Sequence, residues 1–286
     1  DLFPSGVVMP AEGDGSLGAA LVDDERVSVV LHTGSVGTGR AIAVRCALLG
    51  KKAVLELGGN DPMIIDAGVD AGWAAAQAAL GAFTNAGQLC VSVERIYVHA
   101  DIAERFLYEL AMRADLITVG PGEDRATEMG PLVDEAQVEH VHAQVVDALE
   151  QGARLLTGGN RLDGPGCFYP PTVLADVDRG MEVMQEETFG PVAPVQVVSS
   201  FAEALEAAND TVYGLAATVL TPRMDHAQLA MRTLDAGTVK INAVFGGAPG
   251  GSAEPRRCSG SGVGYGPELL DELTSWRVVH LAMPGK

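Results

Sequence analysis

Aromatic residues are scarce in this chain: Phe, Trp and Tyr make up 5% of its 286 residues. That scarcity argues against a surface built to stack nucleic-acid bases. Positive charge is scarce too, with 19 Lys and Arg against 38 Asp and Glu, a formal net charge of -19. Such a field repels phosphate backbones and anionic lipid surfaces, so neither nucleic acid nor a membrane is expected as a partner. No stretch approaches the roughly 18 consecutive apolar residues of a membrane-spanning helix. The opening DLFPSGVVMP lacks the basic region and long apolar run of a secretory signal. It also lacks an initiator Met and reads as a Pro/Gly loop leading into a strand, so the first residue is expected to lie inside a domain. Cysteine is limited to Cys46, Cys90, Cys167 and Cys258. These form no CxxC pair and no His/Cys cluster with zinc spacing, so no metal site is expected. Scattered thiols of this kind fit a reducing cytoplasm. No internal repeat or low-complexity linker divides the chain.

Hydrophobic residues make up 47% of the chain, mostly Ala, Val and Leu. The β-branched run at 26–31 predicts a buried strand, followed by the turn HTGSVGTG and a helix from about Arg40 to Leu49. KKAVLEL at 51–57 predicts the next strand. Strand, glycine-rich turn, helix and strand form a βαβ unit, which implies a parallel sheet. Further strands are predicted at 62–65, 94–98, 192–198, 215–220 and 237–241. Helices are predicted at 70–83, 102–113, 135–151, 201–209 and 225–234. The alternation makes the fold class α/β. The Gly/Ser/Pro-rich stretch 243–266 reads as a surface loop, and 274–282 (TSWRVVHLA) as a terminal strand available for pairing with another subunit.

Four constellations could carry chemistry, and each has a plain structural alternative. Gly34, Ser35 and Gly39 form a GSxxxG turn between strand and helix. Glycines there admit a phosphate to the free N–H groups of the helix start, although an ordinary βα turn looks the same. Glu56 begins ELGGN at the C-terminal end of a parallel strand, where ligands bind in open α/β sheets. It could equally be a solvated strand-end residue. Cys90 closes FTNAGQLC, a polar loop after an apolar helix, where a thiolate nucleophile could be held. A lone cysteine is otherwise a small buried hydrophobe, and no His/Asn pair has a claim on it. Glu187 and Phe189 lie in EETFGP, which could hold a ribose and wall a nicotinamide or simply form a charged turn.

Taken together, ELGGN, FTNAGQLC and EETFGP, in this order and with the GSxxxG turn before them, resemble the aldehyde dehydrogenase superfamily. The resemblance runs from about residue 2 to the C-terminal strand. It implies that Cys90 is the nucleophile and Glu56 the general base. It implies that Gly34, Ser35 and Gly39 contact the pyrophosphate of NAD or NADP, that Glu187 binds the nicotinamide ribose, and that Phe189 lies beside the nicotinamide. It implies a partial Rossmann-like cofactor-binding domain over 1–58, an α/β catalytic domain over 59–242, and a Gly-rich loop with a C-terminal oligomerisation segment over 243–286, hence a homo-oligomer. The substrate is then a small-molecule aldehyde oxidised to its acid. The acylating branch of the family, which passes the acyl group to coenzyme A, commonly lacks the glutamate kept here as Glu56, so water is the expected acceptor. Relatives carry about two hundred further residues upstream, with an oxyanion asparagine and an adenosine-ribose lysine that have no counterpart here. The alternative reading is therefore a truncated fragment that is non-catalytic or depends on complementation. Relatives also read FGGxxxSGxG continuously, whereas Phe245-Gly246-Gly247 here stands apart from Ser259-Gly260-Ser261-Gly262.

Overall fold

A computed structural model describes residues 3–246 and 250–285. Two sheets organise the chain. The smaller has the order β1-β2-β10, built from β1 (Val29–Thr33), β2 (Lys52–Glu56) and β10 (Gly260–Ser261). β1 and β2 are parallel, and β10 returns antiparallel against β2. The larger sheet contains β3 (Asp61–Ile65), β4 (Val93–His99), β5 (Arg154–Thr157), β6 (Thr172–Ala175), β7 (Val192–Val198), β8 (Ala216–Leu220) and β9 (Thr238–Ile241). Its order is β5-β6-β7-β4-β3-β8-β9, parallel except for β5. The expected α/β class and parallel sheet are therefore present. β3 and β8 are buried along their whole length, as strands covered on both faces should be.

The helices are α1 (Gly15–Asp23), α2 (Val36–Leu49), α3 (Ala71–Phe83), α4 (Ala100–Leu116), α5 (Glu135–Glu150), α6 (Glu182–Gln185), α7 (Phe201–Asn209), α8 (Met224–Thr233) and α9 (Leu269–Glu272). Side-chain caps start several of them. Asp70 accepts from Trp73 N–H, Asp134 from Gln137 N–H and Ser200 from Glu203 N–H. Each satisfies an orphan donor of the first turn, worth about 1 kcal/mol. α3 packs on α4, and α7 packs against β3 and β4. The apolar core runs between these layers, from Met63 and Ile96 to Phe106 and Leu174.

Several expectations need correction. The first regular element is α1, not a strand. The first strand spans Val29–Thr33 rather than 26–31, because its parallel ladder pairs Val29 with Lys52 and Thr33 with Glu56. α2 begins at Val36, not near Arg40, because Ser35 caps it by accepting from Thr38 N–H at 3.3 Å. Gly39 is thus inside the first turn of the helix rather than in the loop before it. The stretch 243–266 is not all loop, since it supplies β10. The strand expected over 274–282 is absent: residues 274–285 form no regular element, and Trp276 is 96% exposed. A strand exists through its ladder, and among the described residues none lies beside this segment.

Candidate active site

Cys90 stands at the end of a loop with unusual backbone geometry. After α3, Asn85 (φ 54°), Ala86 (φ 55°) and Gly87 (φ 72°) occupy the left-handed region in succession. For the two non-glycine residues this costs roughly 1–2 kcal/mol each. Local bonds hold the loop. Asn85 Nδ2 donates to the Gln88 carbonyl at 3.1 Å, and Gln88 N–H donates to the Asn85 carbonyl at 3.1 Å. The Gln88 side chain then reaches outward, accepting from Val133 N–H at 2.8 Å and donating to the Pro131 carbonyl at 3.2 Å. Gly87 has no room for a side chain: a Cβ there would stand 2.0 Å from the Gly190 carbonyl oxygen. The motif FTNAGQLC is therefore a folded unit pressed against EETFGP.

ELGGN lies on the other side of the thiol. A Cβ on Gly58 would meet Glu187 Oε2 at 2.1 Å, and one on Gly59 would meet the Cys90 carbonyl oxygen at 2.7 Å. Gly59 N–H donates to Glu187 Oε1 at 3.0 Å, and Asn60 Nδ2 donates to the Glu186 carbonyl at 2.7 Å. Glu56 ends β2, where its Oε1 accepts from Gly264 N–H at 3.0 Å. Gly34 N–H donates to the Glu56 carbonyl at 3.1 Å. The small sheet therefore brings Gly34 and Ser35 to the same strand end as Glu56. Gly39 is buried, with no room for a Cβ beside Leu57.

Two buried charged residues, unremarked in the sequence reading, tie these loops together. Glu94 accepts from Thr188 N–H at 2.9 Å and Phe189 N–H at 2.8 Å, fixing the EETFGP loop beneath β4. Phe189 itself sits at φ 47°. Arg95 donates through Nε to the Asn60 carbonyl at 2.8 Å and through Nη2 to the Ala208 carbonyl at 3.1 Å. Both were visible in principle, as a Glu-Arg pair inside the otherwise apolar strand VERIYV. Gln137 also donates to the Thr188 and Phe189 carbonyls, and His140 bonds the Glu187 carbonyl.

Burial pushes every acid of the site upward, because a charge loses water there. Cys90 is raised by burial and then by the carboxylates of Asp61, Glu56 and Glu187. Glu56 is raised by burial against the opposing Gly264 N–H. Glu187 is raised by burial against the Gly59 N–H and His140. Asp61 is pushed up to about 7 by burial, against Lys240 and the Ala216 N–H. A thiol and three carboxylates thus share one poorly solvated region.

The description of the aldehyde dehydrogenase family matches residues 2–279. The chain belongs to the aldehyde dehydrogenase family. It is 39% identical to betaine aldehyde dehydrogenase of Cereibacter sphaeroides over 98% of its own length and 58% of that relative's. Among solved structures, lactaldehyde dehydrogenase from Escherichia coli superposes with a TM-score of 0.90 at 36% identity, covering 94% of this chain and 57% of that one. Betaine aldehyde dehydrogenase from Staphylococcus aureus in complex with NAD+ gives 0.87 at 35% identity, over 91% of this chain and 53% of that one. The chain thus spans somewhat more than half the length of the aldehyde dehydrogenases it matches.

The residues present fit a nicotinamide dinucleotide. Gly58 and Gly59 make room for the half-buried Glu187 carboxylate and for the Cys90 carbonyl, so an acceptor suited to ribose hydroxyls stands directly beside the Cys90 loop. One strand over, the exposed Gly34-Ser35 turn opens onto the start of α2. The first N–H groups of a helix and its dipole suit a phosphate.

Proposed function

We propose that this chain carries the reacting site of an NAD(P)-dependent aldehyde dehydrogenase that oxidises an aldehyde to a carboxylic acid, with Cys90 as nucleophile and Glu56 as general base. The observation that carries the reading is the grouping of Cys90 with Glu56 and Glu187 in one half-buried region, although the three lie far apart in sequence.

The Cys90 sulfur adds to the aldehyde carbon, and backbone N–H groups steady the oxyanion. Glu187 and Phe189 at one end and Gly34, Ser35 and Gly39 at the other would hold NAD(P)+, which would supply the acceptor for the hydride leaving the adduct carbon. The carbon is left as a Cys90 thioester. Glu56 takes a proton from water, the resulting hydroxide attacks the thioester carbon, and the acid departs with the thiol regenerated. The Glu56 carboxyl is raised by burial and needs to be ionised to act, as Cys90 needs to be a thiolate. Turnover therefore rises with pH as each loses its proton. Glu56 favours water over coenzyme A as acyl acceptor. The named relatives act on unlike aldehydes, so the substrate class assigned is aldehydes in general. The exposed segment 274–285 supports pairing with a second copy of the chain, and the four free cysteines support a reducing compartment such as the cytoplasm.

The test is NAD(P)H formation with a panel of aldehydes. Cys90→Ser lowers it about a thousandfold or more. Activity untouched by that change removes Cys90 from the mechanism. A second reading, that turnover needs a separate upstream segment, is favoured by a cleft of about 780 Å³ lined by Val29, Leu31, Thr38, Ala41 and Ile42 on the α1–β1–α2 face.

A further inference from the structure

The second residue of β4, Glu94, is an acid that the proposed chemistry leaves unused. It follows Cys90 closely in the chain, and the strand around it is buried from Val93 to Val98. Glu94 itself is 3% exposed. A carboxylate taken out of water is costly unless donors replace its hydration. Packing alone would be served by an apolar residue at this place.

The donors are two successive backbone N–H groups of EETFGP. Glu94 Oε2 accepts from Thr188 N–H at 2.9 Å, and Oε1 accepts from Phe189 N–H at 2.8 Å. These belong to the two peptide groups that join Glu187 to Phe189. Hydrogen bonds to an ionised acceptor are roughly twice as strong as neutral ones, and a pair of them fixes direction as well as distance. Burial and then the Glu187 carboxylate push Glu94 well above its ordinary value, yet each of its oxygens meets an N–H donor, so the ionised form is the one that fits. The grip also holds Phe189 at φ 47°, a conformation that bulky residues avoid. Gln137 and His140 fasten the carbonyl oxygens of the same loop from α5. Glu94 fastens its N–H groups from the chain segment that carries Cys90.

We propose that Glu94 is a positioning residue that sets the Glu187–Phe189 loop in register with the Cys90 sulfur. The inference rests on the reading of Cys90 as nucleophile and of Glu187 and Phe189 as contacts for the nicotinamide end of the cofactor, and it adds what fixes the one against the other. Reacting groups need to stand about 3–3.5 Å apart, and a misplacement of about 1 Å costs on the order of a hundredfold in rate. The segment 90–94 meets that demand with few joints, since the sulfur is at one end of it and the grip on the cofactor loop at the other. Gly87, pressed against the Gly190 carbonyl, closes the same two loops on each other from the far side.

The experiment compares Glu94→Gln with wild type in two readouts. One is the affinity for NAD+ and for NADP+, by calorimetric titration without aldehyde. The other is hydrolysis of p-nitrophenyl acetate without cofactor, which uses the thiol but no nicotinamide. Gln keeps the shape of Glu94 but turns an NH2 group toward one of the two N–H donors. The variant is expected to bind the dinucleotide about tenfold more weakly and to hydrolyse the ester within about twofold of wild type. Glu94→Asp keeps the charge and both acceptor oxygens one methylene further back, and shifts binding the same way by less. A folded Glu94→Gln protein that binds the dinucleotide as wild type does overturns the role of Glu94 and leaves the reading of the site standing. Equal loss of both readouts also overturns it, because it marks a residue that only supports the fold. Should Glu94→Gln fail to fold, Glu94→Asp decides by the same two comparisons. Ester hydrolysis untouched by Cys90→Ser removes the nucleophile, and a wild-type chain that binds neither dinucleotide removes the cofactor site; either result takes this inference with it.

Discussion

β1 and β3 are both five-residue parallel strands that end near the candidate site, yet their surroundings differ sharply. Every residue of β3 is buried, and none of β1 is. Around β3 the chain covers its own apolar surface with α3, α4 and α7. Around β1 it does not: Leu31 is 45% exposed, and Val44 and Leu48 of α2 are 63% and 74% exposed. The difference separates two jobs. The thiol, Asp61 and Glu187 are organised by the larger sheet and the loops it anchors, while Glu56 reaches the thiol from the end of β2 in the smaller sheet. The turn proposed for the cofactor phosphates sits on a layer whose outer face lies open.

One substitution applied in both regions tests that division most strongly. Gly87→Ala puts a methyl group against the Gly190 carbonyl at a backbone angle that L-residues avoid. It is expected to cost roughly 3 kcal/mol or more, read as a lowered midpoint in urea unfolding. An effect of comparable size and opposite sign belongs to Asp61→Asn. The Asp61 carboxyl has its folded value raised to about 7 from 3.8, so the native state binds the extra proton between those limits. Stability from this group is retained below about pH 4, is lost progressively up to about pH 7 and stays lost above. Asp61→Asn therefore stabilises the protein at pH 8 by up to about 4 kcal/mol, and the gain shrinks as pH falls toward 4. An equal effect at both pH values would mean that Asp61 does not titrate in this window. The smallest effect belongs to Gly37→Ala in α2, where an added Cβ meets nothing within 4 Å. There the same chemical change stabilises by about 0.5–1 kcal/mol. Destabilisation there comparable to Gly87→Ala would erase the contrast between the regions.

The two regions also differed in how much the sequence disclosed. The strand over 192–198 and the helix over 201–209 were read with the bounds the structure has. Both are apolar, periodic and capped, and Ser200 supplies the stop before the helix. β5, β6 and α6 were missed because each is four residues long and is defined by its partners rather than its own pattern. The tail over 274–282 failed for the opposite reason, since its pattern suits a strand but the pairing edge is absent. At the site, the order of the three motifs was legible. The fastening of those motifs by Glu94, Arg95 and Gln88 was not, because a hydrogen bond between a strand and a distant loop leaves no local periodicity.

The most direct measurement is the fate of Cys90 in Glu56→Gln during turnover with an aldehyde and NAD(P)+. If the thiol takes up the substrate carbon and Glu56 then activates water, the variant still reduces one equivalent of cofactor. An acyl mass then accumulates on the Cys90 peptide while steady turnover falls by about a hundredfold or more. Unchanged steady turnover with no acyl group on Cys90 would contradict the account.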